Sequence, residues 1–192
     1  MRKLIPILLL LVACSTPPDY TYTIHKGDHW ATPLRLERHT DPTLTQRVNF
    51  SSDCLYDESK QTYPGWNKIG YWFNGIHPHI GNGVTFVWRC INGKLTLGWY
   101  AWVKGVSPMD TKWDGSQAGV LCEIEPGRDY LLTIIAGDSI TFIVDGLARV
   151  KTGLSFQPTM ILQPYFGGRE TASHTMHIQI EKKNFQAIKQ LL

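Results

Sequence analysis

Val84-Thr85-Phe86-Val87-Trp88-Arg89-Cys90-Ile91-Asn92-Gly93-Lys94-Leu95-Thr96-Leu97-Gly98-Trp99-Tyr100-Ala101-Trp102 is the stretch that decides the fold. Two runs rich in β-branched and aromatic residues flank Asn92-Gly93. That dipeptide suits a type I′ two-residue turn, because both central positions require φ > 0. The turn sets the register: Ile91 faces Lys94, Cys90 faces Leu95, Arg89 faces Thr96, and so on out to Val84 facing Ala101. Facing residues point to the same side of a sheet. One side then carries Val84, Phe86, Trp88, Cys90, Leu95, Leu97, Trp99 and Ala101, and is predicted to be core. The other carries Thr85, Val87, Arg89, Thr96, Gly98, Tyr100 and Trp102. This mixed face, with a cation, two large aromatics and a glycine that leaves room, is the best candidate surface in the chain.

The same texture continues outward. Short apolar or alternating runs recur between Gly, Asn, Asp and Pro, which is an all-β pattern. Strands are predicted near 20–26, 33–39, 44–52, 67–73, 83–91, 94–103, 118–124, 129–136, 139–145, 147–151, 158–166 and 174–182. A second hairpin is expected around Ala136-Gly137-Asp138-Ser139, its arms apolar on both faces. In the last strand Met176, Ile178 and Ile180 share the inner face, opposite Thr175, His177, Gln179 and Glu181. Before it, Met160, Leu162 and Phe166 alternate with Ile161, Gln163 and Tyr165. Only the tail, Phe185 to Leu191, has apolar residues at helical spacing. So many short alternating strands are satisfied by one antiparallel two-sheet sandwich, a jelly roll, over 20–183, followed by a short tail at 184–192.

Two resemblances support this reading. Gly127-Arg128-Asp129-Tyr130-Leu131-Leu132-Thr133-Ile134-Ile135, returning through Ile140-Thr141-Phe142-Ile143-Val144-Asp145-Gly146, resembles the paired strands of concanavalin A-like lectins and glucanases. Ile24-His25-Lys26-Gly27-Asp28-His29, Trp66-Asn67-Lys68-Ile69-Gly70, the Asn92-Gly93 hairpin and Leu162-Gln163-Pro164-Tyr165-Phe166-Gly167-Gly168 occur in order. Together they are similar to a group of small secreted jelly-roll lipoproteins of Bacteroidota. That likeness implies the fold and a place in the cell envelope, and no particular reaction.

The amino terminus points the same way. Arg2-Lys3 precedes an apolar run, Leu4 to Val12, too short to span a bilayer, which takes about 20 residues. Leu11-Val12-Ala13-Cys14 resembles the lipobox of bacterial lipoproteins. The resemblance implies a signal peptide over 1–13, removed before Cys14, and lipid on that cysteine, with 14–19 as a tether. Each buried CH₂ contributes about 0.8 kcal/mol, and more than one acyl chain makes a lasting anchor. The expected location is the bacterial envelope, lipid-anchored, on the outer membrane.

Removing 13 of the 192 residues leaves 179, enough for one domain. The formal charge falls from +3 to +1 as Arg2 and Lys3 depart. With scattered Lys and Arg, that argues against a nucleic-acid partner. Seven Trp and eight Tyr are many for this length and suggest a ligand surface. Besides Cys14 the cysteines are Cys54, Cys90 and Cys122. Cys90 is expected as a buried free thiol, and Cys54–Cys122 is the pair to test for a disulfide. No spacing resembles a zinc site.

Three functional readings follow. The first is carbohydrate binding without catalysis, with Arg89, Tyr100 and Trp102 as the floor of an open groove and Tyr165 and His177 lining it. Aromatic rings would stack on a sugar while Arg89 binds hydroxyls or a carboxylate. The second is a polysaccharide lyase acting on uronates. A Gln, a His, a Tyr and an Arg on one face resemble the outfit of jelly-roll lyases, which implies Arg89 and Gln179 as neutralisers and His177 and Tyr165 as proton carriers. The chain reads His177-Ile178-Gln179 where those lyases read Gln-Ile-His. The third is a structural or adhesive envelope protein. No cofactor is implied. His77 and His79 lack a third metal ligand, and Asp110 and Asp114 are too few for calcium. Glu123 and Glu125 depart from the glucanase Glu-x-Asp-x-Glu pattern, whose fifth position here is Gly127.

Overall fold

The computed structural model describes residues 20–61, 65–74, 82–104, 119–162, 164–167 and 170–183. Cys14, the histidines of the 75–81 segment, Asp110, Asp114, Gln163 and the 184–192 tail lie outside them. The described residues form fourteen strands: β1 (Tyr20–Ile24), β2 (Ala31–Thr32), β3 (Leu36–Arg38), β4 (Thr43–Phe50), β5 (Asn67–Lys68), β6 (Tyr71–Asn74), β7 (Asn82–Ile91), β8 (Lys94–Trp102), β9 (Val120–Ile124), β10 (Asp129–Ile135), β11 (Ile140–Val144), β12 (Ala148–Thr152), β13 (Met160–Leu162) and β14 (Met176–Lys183). They build two antiparallel seven-stranded sheets. The first runs β12-β11-β10-β4-β14-β1-β2, and the second runs β3-β13-β6-β7-β8-β9, with β5 also paired to β7. The protein is an all-β sandwich.

The β7–β8 hairpin has the register that its turn predicts, from Ile91↔Lys94 to Val84↔Ala101. Asn92 and Gly93 take φ of 51° and 78°, the left-handed pair that a type I′ turn requires. Its predicted core side is buried throughout and packs into the main core between the sheets. From the first sheet, Val48 and Phe50 on β4, Leu132 and Ile134 on β10, Phe142 on β11 and Ile178 on β14 meet it. In the second hairpin the even-numbered residues face inward.

Three features depart from the predicted strands. Residues 52–54 and 58–60 are 3₁₀ turns, the first replacing the end of a longer predicted strand. The run 67–73 is broken. Lys68 faces Val87, whereas Trp72 faces Val84, so four steps along one chain match three along β7. Ile69-Gly70 takes up the extra residue as a β-bulge. Alternation fails here: Lys68 and Tyr71 both face outward, while Asn67, Ile69 and Trp72 face inward. The run 158–166 breaks similarly. Ile161 and Phe166 enter the main core, but Leu162 joins a separate outer cluster with Tyr71 and Phe73.

Candidate functional site

The outer face of the second sheet is built around Lys68. The bulge turns this lysine away from the core, opposite Tyr165. The two backbones exchange hydrogen bonds of 2.8 and 2.9 Å, which fixes both side chains on one face. Lys68 Nζ lies 5.0 Å from the Tyr71 ring centroid, 5.5 Å from that of Tyr165 and 5.7 Å from that of Tyr100. These are cation–π distances. Among the described residues no carboxylate or carbonyl accepts a hydrogen bond from this ammonium. Burial lowers the Lys68 pKa and raises those of Tyr71, Tyr100 and Tyr165, since each charged form loses hydration.

Glycine shapes the same face. A Cβ on Gly83 would lie 2.1 Å from the Tyr71 ring, so Tyr71 can lie across β7 only because position 83 has no side chain. At the other end of the cluster Trp30 pairs with Tyr165 through an isolated bridge. The Trp30 ring meets that of Tyr165 edge-on at 4.8 Å, and His29 stacks on Tyr165 at 5.3 Å. Trp30 is 42% exposed, the most open aromatic of the group.

The sequence-predicted residues divide between the two sheets. Arg89, Tyr100 and Trp102 share the outer face of the second sheet, and Tyr165 joins Tyr100 beside Lys68. Arg89 does not serve as an open floor. It is 7% exposed, its Nε lies 3.2 Å from Glu58, and its guanidinium stacks on Trp66 at 5.0 Å. Burial raises the Glu58 pKa, with the Arg89 charge opposing that shift. The space expected over Gly98 is taken: a Cβ there would lie 3.0 Å from the Trp66 ring and 2.7 Å from the Gly119 carbonyl. Trp102 is half-buried. His177 and Gln179 belong to β14 in the first sheet and point from its opposite outer face, so they do not line the groove. The reason is connectivity: β13 and β14 are consecutive in sequence, yet the chain between them crosses from one sheet to the other.

On that far face Asp53 holds His177. One carboxylate oxygen lies 2.6 Å from His177 Nδ1. The other accepts the His177 backbone N–H at 2.9 Å and the Ser51 hydroxyl. Burial works to raise the Asp53 pKa, but these hydrogen bonds outweigh it and hold the carboxyl below its ordinary range. Gln179 lines a shallow polar depression with Arg47, Asn49, Asp129 and Glu181. Arg89, Gln179, His177 and Tyr165 therefore do not converge, and the lyase constellation is not formed. The three cysteines are free: Cys54 and Cys90 are buried and Cys122 is half-buried, so the Cys54–Cys122 bond is not made. Among the described residues no three metal-binding side chains gather, and no helix is long and apolar enough to cross a membrane.

Sequence reasoning missed Lys68, Tyr71, Trp66 and Trp30. A signal for the first two was present in Gly70, because a glycine inside a strand pattern marks a bulge or a close backbone approach.

No protein-family model matches the chain, and no curated protein does. Among solved structures, a GH43 glycoside hydrolase engineered at its active site to display both endo-xylanase and exo-arabinofuranosidase activity aligns with a TM-score of 0.48 at 9% identity. The alignment covers 84% of this chain and 34% of that one, so this chain spans about a third of that protein's length. At this score and identity, nothing about substrate or chemistry passes from that enzyme to this chain.

Proposed function

We propose that the protein is a non-catalytic carbohydrate-binding lipoprotein, anchored through Cys14 to the outer membrane of a bacterial envelope, with its ligand face on the second sheet. The observation that carries the reading is the aromatic group around Lys68. Trp30, Tyr165 and Tyr100 offer rings of graded exposure, held by a backbone bridge rather than by a loose loop. Flat rings of this kind cover the C–H face of a pyranose, and tyrosine hydroxyls and the ammonium supply directional donors. The test is a glycan array followed by titration of the mature protein. Replacing exposed Trp30 by Ala should weaken the best ligand about tenfold, on the scale of roughly 1–3 kcal/mol for one aromatic stacking contact, and leave the melting temperature nearly unchanged. An array without a single binder, or a Trp30→Ala variant with full affinity, overturns the assignment.

Leu34 and Leu36, 73% and 56% exposed, favour protein adhesion as the second reading. In that case envelope proteins, and no glycans, should cross-link beside them.

A further inference from the structure

We propose that Lys68 makes this face selective for acidic glycans, binding the carboxylate of a uronic acid or the sulfate ester of a sulfated sugar. The proposal rests on the glycan-binding reading and adds the ligand's charge to it. Arg89 and Lys68 both lie on this face, and they are in different states. Arg89 already has its counter-charge in Glu58 at 3.2 Å and is capped by Trp66. Lys68 has three aromatic rings and, among the described residues, no anion. Ring faces stabilise a cation through their quadrupoles but are weak hydrogen-bond acceptors, so among the described residues the three ammonium donors have no strong partner. A lysine in a half-buried aromatic setting interacts strongly with an incoming anion, because fewer waters screen it.

Geometry narrows the class. The backbone pairing puts Tyr165 and Lys68 side by side, with the ammonium 5.5 Å from the ring centroid. In a uronic acid the carboxyl on C5 projects roughly in the plane of the sugar. A ring lying on Tyr165 or Trp30 therefore directs that group sideways, toward the neighbouring ammonium. A sulfate ester on the exocyclic oxygen has the same reach. Neutral sugars offer only hydroxyls at this place. The depressed Lys68 pKa agrees with a charge awaiting a partner, since a bound anion would restore it.

The experiment titrates the mature protein with matched pairs: polygalacturonate against its carboxyl-reduced form, and a sulfated galactan against the same polymer desulfated. The acidic member of at least one pair should bind ten times more tightly or better, and the pair that responds identifies carboxylate or sulfate. Lys68→Met keeps the stem packing and removes the charge. It should bring acidic and neutral members to equal affinity without weakening the neutral one. Lys151→Met, an equal charge loss on exposed β12 of the other sheet, should keep the preference. Equal binding of both members by the unmodified protein, or a preference that survives Lys68→Met, overturns the role of Lys68 while leaving glycan binding standing. If no polymer binds, neutral or acidic, the glycan reading itself falls. The comparison on unmodified protein needs no variant, so a Lys68→Met chain that fails to fold does not spare the proposal.

Discussion

Asn67 is the polar residue on which the geometry of the ligand face depends, and truncating it should be costly. It is 1% exposed and points between the sheets from β5. Its Oδ1 accepts the Gly167 N–H at 2.8 Å and its Nδ2 donates to the Tyr56 hydroxyl at 3.2 Å. Asn67→Ala leaves the Gly167 amide unpaired in the interior, which costs about 1–3 kcal/mol, and removes a second hydrogen bond worth about 1 kcal/mol. The amide has little slack to turn elsewhere, since even a Cβ on Gly167 would lie 2.0 Å from the Trp66 carbonyl. The expected total is about 2–4 kcal/mol, or a fall of roughly 10 °C in melting temperature for a domain of this size. Urea unfolding followed by tryptophan fluorescence reads it directly. Because Tyr165 lies two residues before Gly167, glycan affinity should drop at temperatures where the variant is still folded. A loss below about 1 kcal/mol would mean that water or a shifted backbone replaces Asn67, and would refute the view that this side chain pins the Tyr165 segment to β5.

Three further outcomes are expected. Trp99→Ala should cost about 3–5 kcal/mol, since Trp99 packs on Phe142 at 5.4 Å inside the main core, whereas half-buried Trp102→Ala should cost markedly less. Thermal melts giving the reverse order would mean that the two faces of β8 are exchanged. Asp53 has a folded pKa below its unfolded value, so the stability it contributes is present above the unfolded pKa and is lost as pH falls through the folded one. With Asp53 and His177 partly open to solvent, about 1 kcal/mol is the expected size. The stability gap between the native protein and Asp53→Asn should be full above roughly pH 4 and shrink as pH falls below it, and a gap unchanged down to pH 2 would contradict the linkage. In native alkylation mapped by mass spectrometry, Cys122 should react first, while Cys54, its thiol pushed up to about 12 by burial, and Cys90 should react only on unfolding.

Much of the framework was legible because it rests on local rules. The Asn92-Gly93 turn determines nine residue pairs of the β7–β8 hairpin, and alternation identifies Met176, Ile178 and Ile180 as the inner face of β14. The candidate site was legible where it lies on that hairpin, at Tyr100 and Trp102, and at Tyr165, which joins Tyr100 beside Lys68. Lys68 and Tyr71 escaped because their shared face depends on one extra residue at Ile69-Gly70, and alternation carried across a bulge gives the wrong side. His177 and Gln179 were placed with Tyr165 because strands near in sequence usually pair. Which sheet a strand joins depends on long-range contacts with β1 and β4, which no local pattern records. Arg89 was placed on the correct face. Its covering by Trp66 and Glu58 comes from residues more than twenty positions earlier in the chain.

The bulge between β5 and β6 also makes this segment unequally sensitive to changes in length. Deleting a single residue at Ile69-Gly70 would restore strict alternation between Lys68 and the strand beyond it. Lys68 and Tyr71 would still face outward and Trp72 inward, because three steps would then match the three along β7, whereas a deletion within Tyr71–Asn74 would exchange inner and outer residues beyond it. Ligand face and core are thus coupled like two gears meshed at one tooth. In a set of related chains, substitutions along 67–74 could accumulate one at a time. A gain or loss of one residue within the paired strand would have to arrive together with a compensating shift in β7, while a loss at the bulge would not.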